Sequence, residues 1–198
     1  MLTPALDRFS VPMEHSFTRI LETRRLFLRE LVAADLDFLA AMLGDAEVMR
    51  HYPKPLSRTE AEAWLNRQRA RYEVDGHGLW LAVERASGRP VGQVGLVAQR
   101  VDAFGGAPTP EIGYLLQRAD WGRGYATEAA LGVRTYAFEQ RGYPTVISLI
   151  RPENTASQAV ARRLGMRVIA ETAHAGHPHL VFGVDADQVE SESLDRHE

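Results

Sequence analysis

Apolar positions along this chain alternate between a repeat of two and a repeat near 3.6, and each change of repeat marks a new element. Arg25-Leu26-Phe27-Leu28-Arg29-Glu30-Leu31 reads as a strand, after which Leu36, Leu39, Ala40 and Leu43 recur at helical spacing. A second helix opens at Ser57, which forms a capping box with Glu60. Its stripe runs through Ala61, Trp64, Leu65 and Tyr72, with Gln68 as a polar interruption, and Gly76 and Gly78 end it. Leu79–Glu84 and Pro90–Arg100 predict two antiparallel strands joined at Ser87-Gly88-Arg89, and a Gly/Pro-rich loop follows from Asp102 to Pro110.

Glu111–Leu116 is the fourth strand, and the helix beyond it carries a narrow face of Ala126, Ala130, Val133 and Ala137 that ends at Gly142-Tyr143-Pro144. Val146–Ile150 reads as a fifth strand, followed by a helix from Thr155 to Leu164 with Gly165 as its C-cap. Arg167–Thr172 and His179–Val184 complete the pattern as two terminal strands. The strand-helix-strand-helix portion requires a parallel pair. The order β-α-α-β-β-β-α-β-α-β-β predicts a single α/β (α+β) domain over residues 21–187, between an N-terminal extension (1–20) and an acidic polar tail (188–198).

Composition narrows the function classes. A chain of 198 residues with 45% hydrophobic residues suits one domain with an ordinary core. Its formal charge of -3 disfavours a general nucleic-acid binder, and Arg67, Arg69 and Arg71 read as a solvated helix side. The absence of cysteine excludes disulfides, a cysteine nucleophile and Cys-based zinc sites. The first twenty residues form neither a signal-peptide core nor a membrane span, so a cytoplasmic protein with no membrane partner is expected.

The chemistry concentrates in Arg118-Ala119-Asp120-Trp121-Gly122-Arg123-Gly124-Tyr125-Ala126-Thr127-Glu128-Ala129, a glycine turn feeding a helix start. Gly122 and Gly124 can adopt φ > 0, so successive N–H groups can converge on an anion beside the positive end of the helix. A Walker loop needs Gly-Lys-Ser/Thr, and the dinucleotide fingerprint wants a third glycine where Thr127 stands. The stretch instead resembles the coenzyme A loop of the GNAT superfamily of N-acyltransferases: Gly124-x-Ala126 fills its end, while Trp121 replaces the opening Gln/Arg. Trp-Gly-x-Gly-Tyr-Ala-Thr-Glu-Ala is similar to the branch of ribosomal-protein N-terminal alanine/serine acetyltransferases. Asn154-Thr155-Ala156-Ser157, followed by Leu164-Gly165-Met166, resembles a second block of that branch.

The resemblance implies a mixed sheet of about seven strands with about four helices, its fourth and fifth strands splayed for coenzyme A. It implies acetyl-CoA as co-substrate, with main-chain contacts from Leu115, Leu116, Gly122, Gly124, Tyr125 and Ala126, and no metal. Arg123 would either meet a phosphate or be solvated, and Thr127 would donate its hydroxyl or cap the helix. Asn154 would contact pantetheine or cap its helix, and Ser157 would support the leaving sulfur. Glu111 is the candidate proton acceptor, with a surface ion pair as its alternative. His51 and Tyr52 would contact the acceptor or simply pack, and His174 would line the acceptor site or be solvated. His174, His177 and His179 cluster without a cysteine or clear carboxylate partner, which favours a loop lining over a zinc site.

The expected activity is direct acetyl transfer to an amine, a protein or peptide N-terminal α-amine or a small molecule, by a monomer or homodimer. The alternatives are an inactive acyl-CoA-binding sensor and a transferase of longer acyl groups.

Overall fold

The computed structural model describes residues 17–189. Most of the N-terminal extension and nearly all of the acidic tail therefore lie outside the described residues. The elements are β1 (Arg19–Glu22), β2 (Leu26–Arg29), α1 (Leu36–Gly44), α2 (Arg58–Val74), β3 (Leu79–Glu84), β4 (Pro90–Arg100), β5 (Pro108–Leu116), α3 (Tyr125–Thr135), β6 (Thr145–Ile150), α4 (Thr155–Arg163), β7 (Arg167–His174) and β8 (His177–Asp185). The strands form one eight-stranded sheet in the order β1-β2-β3-β4-β5-β6-β8-β7. All neighbours are antiparallel except β5 and β6.

The period of two in β3 divides the core into layers. Trp80 and Ala82 pack on the side of α3 and α4, whereas Leu81 and Val83 pack on the side of α1 and α2. Helices thus cover both faces, which is why β3 and β4 read as nearly continuous apolar runs. Ala129, Ala130 and Val133 are fully buried, and these small side chains bring α3 close to the sheet. Beyond Thr135 the helix continues as a π-helical turn over Tyr136–Gln140, closed by the bond from Arg141 N–H to the Tyr136 carbonyl.

The capping box forms as the sequence indicates: Ser57 Oγ accepts from Glu60 N–H, and Glu60 Oε2 accepts from Ser57 N–H. Gln68, the polar break in the α2 stripe, is buried because its Oε1 accepts the Leu79 N–H at the start of β3.

Two boundaries differ from the sequence expectation. Arg19–Glu22 straddles the expected end of the extension at residue 20, yet it pairs with β2 through an irregular register and raises the strand number to eight. Its apolar residues, Ile20 and Leu21, are adjacent rather than alternating, so no strand period is visible there. β5 also starts at Pro108, inside the expected Gly/Pro loop. Because Gln117 N–H bonds to the Val91 carbonyl, the odd-numbered residues of β5 face β4 with their backbone groups and the even-numbered ones face β6. Pro108 and Pro110 therefore lack N–H groups only on the side where no ladder bond to β4 is at stake.

Candidate active site

β5 and β6 pair at a single position, Glu111 with Ile147, and separate beyond it. Side chains close the top of the opening. Ser148 Oγ donates to the Ile112 carbonyl at 2.8 Å, and Leu149 N–H donates to Glu111 Oε1 at 3.3 Å. Further along, the alternation of β5 turns the backbone groups of Tyr114 and Leu116 toward the gap and those of Leu115 toward β4. The Leu116 carbonyl is taken by Trp121 Nε1–H at 2.9 Å, and Tyr114 reaches across to α4, donating its hydroxyl to the Ser157 carbonyl at 2.9 Å. Of the two leucines expected to offer main-chain contacts, Leu116 faces the opening; the other such residue is Tyr114 rather than Leu115.

The glycine turn lies beside this gap. Gly122 has φ +73° and Gly124 has φ +78°, the left-handed region that favours glycine, and a Cβ on Gly122 would meet nothing within 4 Å. Among the described residues, the N–H groups of Gly122 through Thr127 have no hydrogen-bond acceptor. These are the orphan donors of a helix start, reinforced by the α3 dipole.

Buried Asp120 anchors the turn. It accepts from Arg89 at 2.7 and 2.8 Å, from Gln117 Nε2 at 2.6 Å and from Arg123 at 2.9 Å. The Arg89 hydrogen bonds, helped by Gln117 and Arg123 and opposed by burial, hold its carboxyl down at about 2. Asp120 thus contributes stability at neutral pH that is lost as the pH falls from about 4 toward 2. Asp120→Asn is expected to cost about 2 kcal/mol in chemical denaturation at pH 7 and much less near pH 2. A pH-independent loss would remove this ionic anchoring.

Arg123 is occupied away from the cavity walls: its guanidinium pairs with Asp120 and Glu84, and it does not line the larger cavity. The Tyr125 hydroxyl also binds Glu84, while the residue itself lines that cavity with Gly122, Gly124, Ala126 and Thr127. Glu128 clamps the loop before β2 to α3, accepting from Thr23 Oγ1 at 2.7 Å and from Arg25 N–H and Nε at 2.6 Å.

Two cavities meet at this opening. The larger, about 990 Å³, runs from the glycine turn to α4, and the smaller, about 440 Å³, lies among the α1–α2 loop, α2, Glu111 and the β7–β8 hairpin. Val48, His51, Tyr114, Leu115, Asn154 and Ser157 belong to both walls. Asn154 caps α4, its Oδ1 accepting Ser157 N–H at 3.1 Å, so the capping alternative holds while the residue also stands at the junction. The larger cavity carries Arg24, Arg50 and Arg163, which sequence reasoning did not single out. Only the Arg162-Arg163 pair at the end of α4 hinted at them.

Glu111 lines the smaller cavity alone. Burial raises its carboxyl to about 7, opposed by the Leu149 N–H and the charge of Arg71. It makes no ion pair within 4 Å among the described residues, so the surface-pair alternative does not apply. Tyr52 is pushed up to about 12 by burial of its hydroxyl and by Glu111, and burial together with Arg50 holds His51 below its ordinary value. His174, lowered by burial and by His179, accepts at its Nδ1 from Gln99 Nε2 at 3.2 Å. His51, Tyr52, His174, His177 and His179 all line this cavity, and no metal-holding group of three His, Cys, Asp or Glu occurs among the described residues.

Arg67 and Arg71 also line it; Arg67 and Arg69 are exposed, as the reading of a solvated helix side expects, whereas Arg71 is half-buried. The spacing of four between Arg67 and Arg71 places both on one face of α2, a face turned to the cavity by Trp64 and Gln68.

A mixed sheet opened beside a glycine-lined helix start is the arrangement that the resemblance to N-acyltransferases implied. The acetyltransferase (GNAT) domain profile matches residues 25–167, and the chain belongs to that family. It is 34% identical over 147 residues to the uncharacterized protein YkkB of Bacillus subtilis (strain 168), covering 74% of this chain and 84% of that protein. The crystal structure of an acetyltransferase from Agrobacterium tumefaciens str. C58 superimposes with TM-score 0.72 at 28% identity, covering 92% of this chain and 99% of that one. RimL, a ribosomal L7/L12 alpha-N-protein acetyltransferase solved in complex with coenzyme A, shares the fold at TM-score 0.69 and 16% identity, covering 86% of this chain and 99% of that one. Membership makes this chain an acetyltransferase. No helix among the described residues is long and apolar enough to cross a membrane.

Proposed function

We propose that this protein transfers acetyl from acetyl-CoA directly to an amine, a protein or peptide N-terminal α-amine or a small-molecule amine. The observation that carries the reading is the row of unengaged N–H groups from Gly122 to Thr127, set in the wall of a cavity that meets a second, carboxylate-bearing cavity. The first suits a diphosphate and its pantetheine arm, which would add to β5 as another strand through Tyr114 and Leu116. The second suits the acceptor.

At the junction the neutral amine attacks the thioester carbonyl carbon. The new C–N bond forms, the carbonyl oxygen gains negative charge beside the strand N–H groups of β5, and the C–S bond then breaks. The proton leaving nitrogen passes through water to Glu111, about half ionised near neutrality given its value of about 7. Ser157, in both walls, supports the departing sulfur by hydrogen bonding. An α-amine, with a pKa of about 7.7–8.0, needs less deprotonation than a lysine at about 10.4.

Release of free thiol from acetyl-CoA across a panel of amines, with mass spectrometry of the products, tests this reading; saturable binding without any product would sink it. Ser157→Ala is expected to lower kcat about threefold to tenfold with donor affinity held within about twofold. Equal losses in both would assign Ser157 to packing alone.

A further inference from the structure

The wall of the acceptor cavity is unbalanced in charge. Among the described residues its arginines are Arg67, Arg71 and Arg151, and its only carboxylate is Glu111. Arg151 is partly neutralised by Glu153 at 2.7 Å, although its Nε is buried without a hydrogen-bond partner. Arg67 and Arg71 have no carboxylate within 4 Å among the described residues. Arg67 lies over the Trp64 ring at 5.5 Å, and the one hydrogen bond of Arg71, to Gln68 Oε1, is stretched to 3.4 Å.

Folding alone does not favour this arrangement. Two guanidinium groups four residues apart on one helix face repel each other, weakly because Arg67 is exposed, and Arg71 is half-buried with only the charges of Asp75 and Glu111, both beyond 4 Å, to offset its desolvation. An anion held between them would relieve both costs. The donor does not supply that anion, because its proposed phosphate-binding turn and the basic residues Arg24, Arg50 and Arg163 lie in the other cavity. A polycationic acceptor would meet further repulsion, and an uncharged amine would leave the guanidinium groups as they are.

Building on the acetyl-CoA-dependent reading above, we propose that the acceptor is an amine that also carries a carboxylate, gripped by Arg71 and Arg67 so that its nitrogen lies beside Glu111. The planar fork of arginine matches a carboxylate with two parallel hydrogen bonds, and a cavity of about 440 Å³ holds a molecule of amino-acid size. The same ion pair anchors one end of the acceptor and leaves the amine as the free end, facing the junction. A free amino acid and a peptide whose first residue is acidic both present this chemistry.

The test compares free amino acids with their primary amides, and tripeptides beginning with Glu with those beginning with Gln, by thiol release with acetyl-CoA. The carboxylate-bearing member of at least one pair is expected to show a kcat/KM about tenfold or more above its amide. The pair that shows it identifies the source. Measured above pH 8, because loss of the Arg71 charge also raises the Glu111 carboxyl, Arg71→Gln should close most of that gap by raising KM far more for the acid than for the amide, and Arg71→Lys should restore part of it. Calorimetric titration of glutarate into the protein–coenzyme A complex gives a readout free of turnover: binding that weakens about tenfold in Arg71→Gln supports the proposal. Equal use of acids and amides, or an Arg71→Gln variant that slows both alike, overturns it and leaves the transferase reading standing. Absence of thiol release with every amine, despite donor binding, overturns both.

Discussion

Gly124→Asp is expected to weaken acetyl-CoA binding about 100-fold, equivalent to about 3 kcal/mol, while the domain stays folded. Gly124 holds φ +78° at the N-cap of α3, within the row of N–H groups assigned to the diphosphate. Aspartate tolerates this left-handed conformation at a cost of about 1 kcal/mol, and its Cβ would approach only the Arg25 guanidinium, 3.4 Å away. The larger effect is electrostatic: a carboxylate about 5 Å from a phosphate charge opposes binding by about 3 kcal/mol at a surface-like dielectric. Gly124→Asn carries the same backbone cost without the charge and is expected to lose no more than about a fifth as much binding free energy. Calorimetry on both variants, with thermal unfolding alongside, separates the terms. Equal affinities for the two would place the diphosphate elsewhere.

Glu111→Gln should have two opposite consequences. Activity is expected to fall about 100-fold to 1,000-fold above pH 7, where the wild-type carboxylate is ionised and able to accept a proton. The wild-type rate should rise through an apparent pKa of about 7, and the variant should lose that limb while keeping its donor affinity. Stability should move the other way. Burial raises Glu111 from 4.5 to about 7, so the ionised form is penalised in the folded state, and stability is lost as pH climbs from below 4.5 through about 7. Replacing the group by a neutral amide should therefore stabilise the protein by about 3 kcal/mol at pH 8 and leave it nearly unchanged at pH 4. An unaltered pH–rate profile would remove Glu111 from proton transfer, and an unaltered stability profile would show that its carboxylate is well hydrated.

Much of the fold was legible because its signals are local. The capping box of Ser57 and Glu60, the small-residue face of α3, and the glycines that end helices each act within a few residues, and each appears in place. β1 was not legible, since a four-residue edge strand with adjacent apolar residues has no period and depends on β2 for its pairing. β5 was read three residues too short for a related reason: Pro108 and Pro110 look like breakers until the strand's parity shows which edge they face.

The site divides along the same line. Gly122 and Gly124 were readable as a turn because positive φ is a property of the residue, and Asn154 was readable as a cap because its bond to Ser157 spans a single helical turn. Arg123 was read as a phosphate contact or a solvated side chain; its partner Asp120 is only three residues away, but Glu84 at the end of β3 is brought to it by the β3–β4 and β4–β5 registers. Leu115 and Leu116 are neighbours in sequence with opposite backbone directions, and only the pairing with β4 decides which of them faces the gap.

By itself the sequence determined the order of elements from β2 onward, the glycine turn and the helix caps, because these follow from short-range sterics, hydrogen bonding and periodicity, and its two motif blocks carried the family resemblance. Tertiary structure decided where β5 and β6 part, that Glu111 is desolvated, and that Arg71 is half-buried in a cavity wall with exposed Arg67 at its side. Those properties depend on which atoms from distant segments surround a group, and desolvation and charge pairing are set by that surrounding rather than by the residue's own neighbours in the chain.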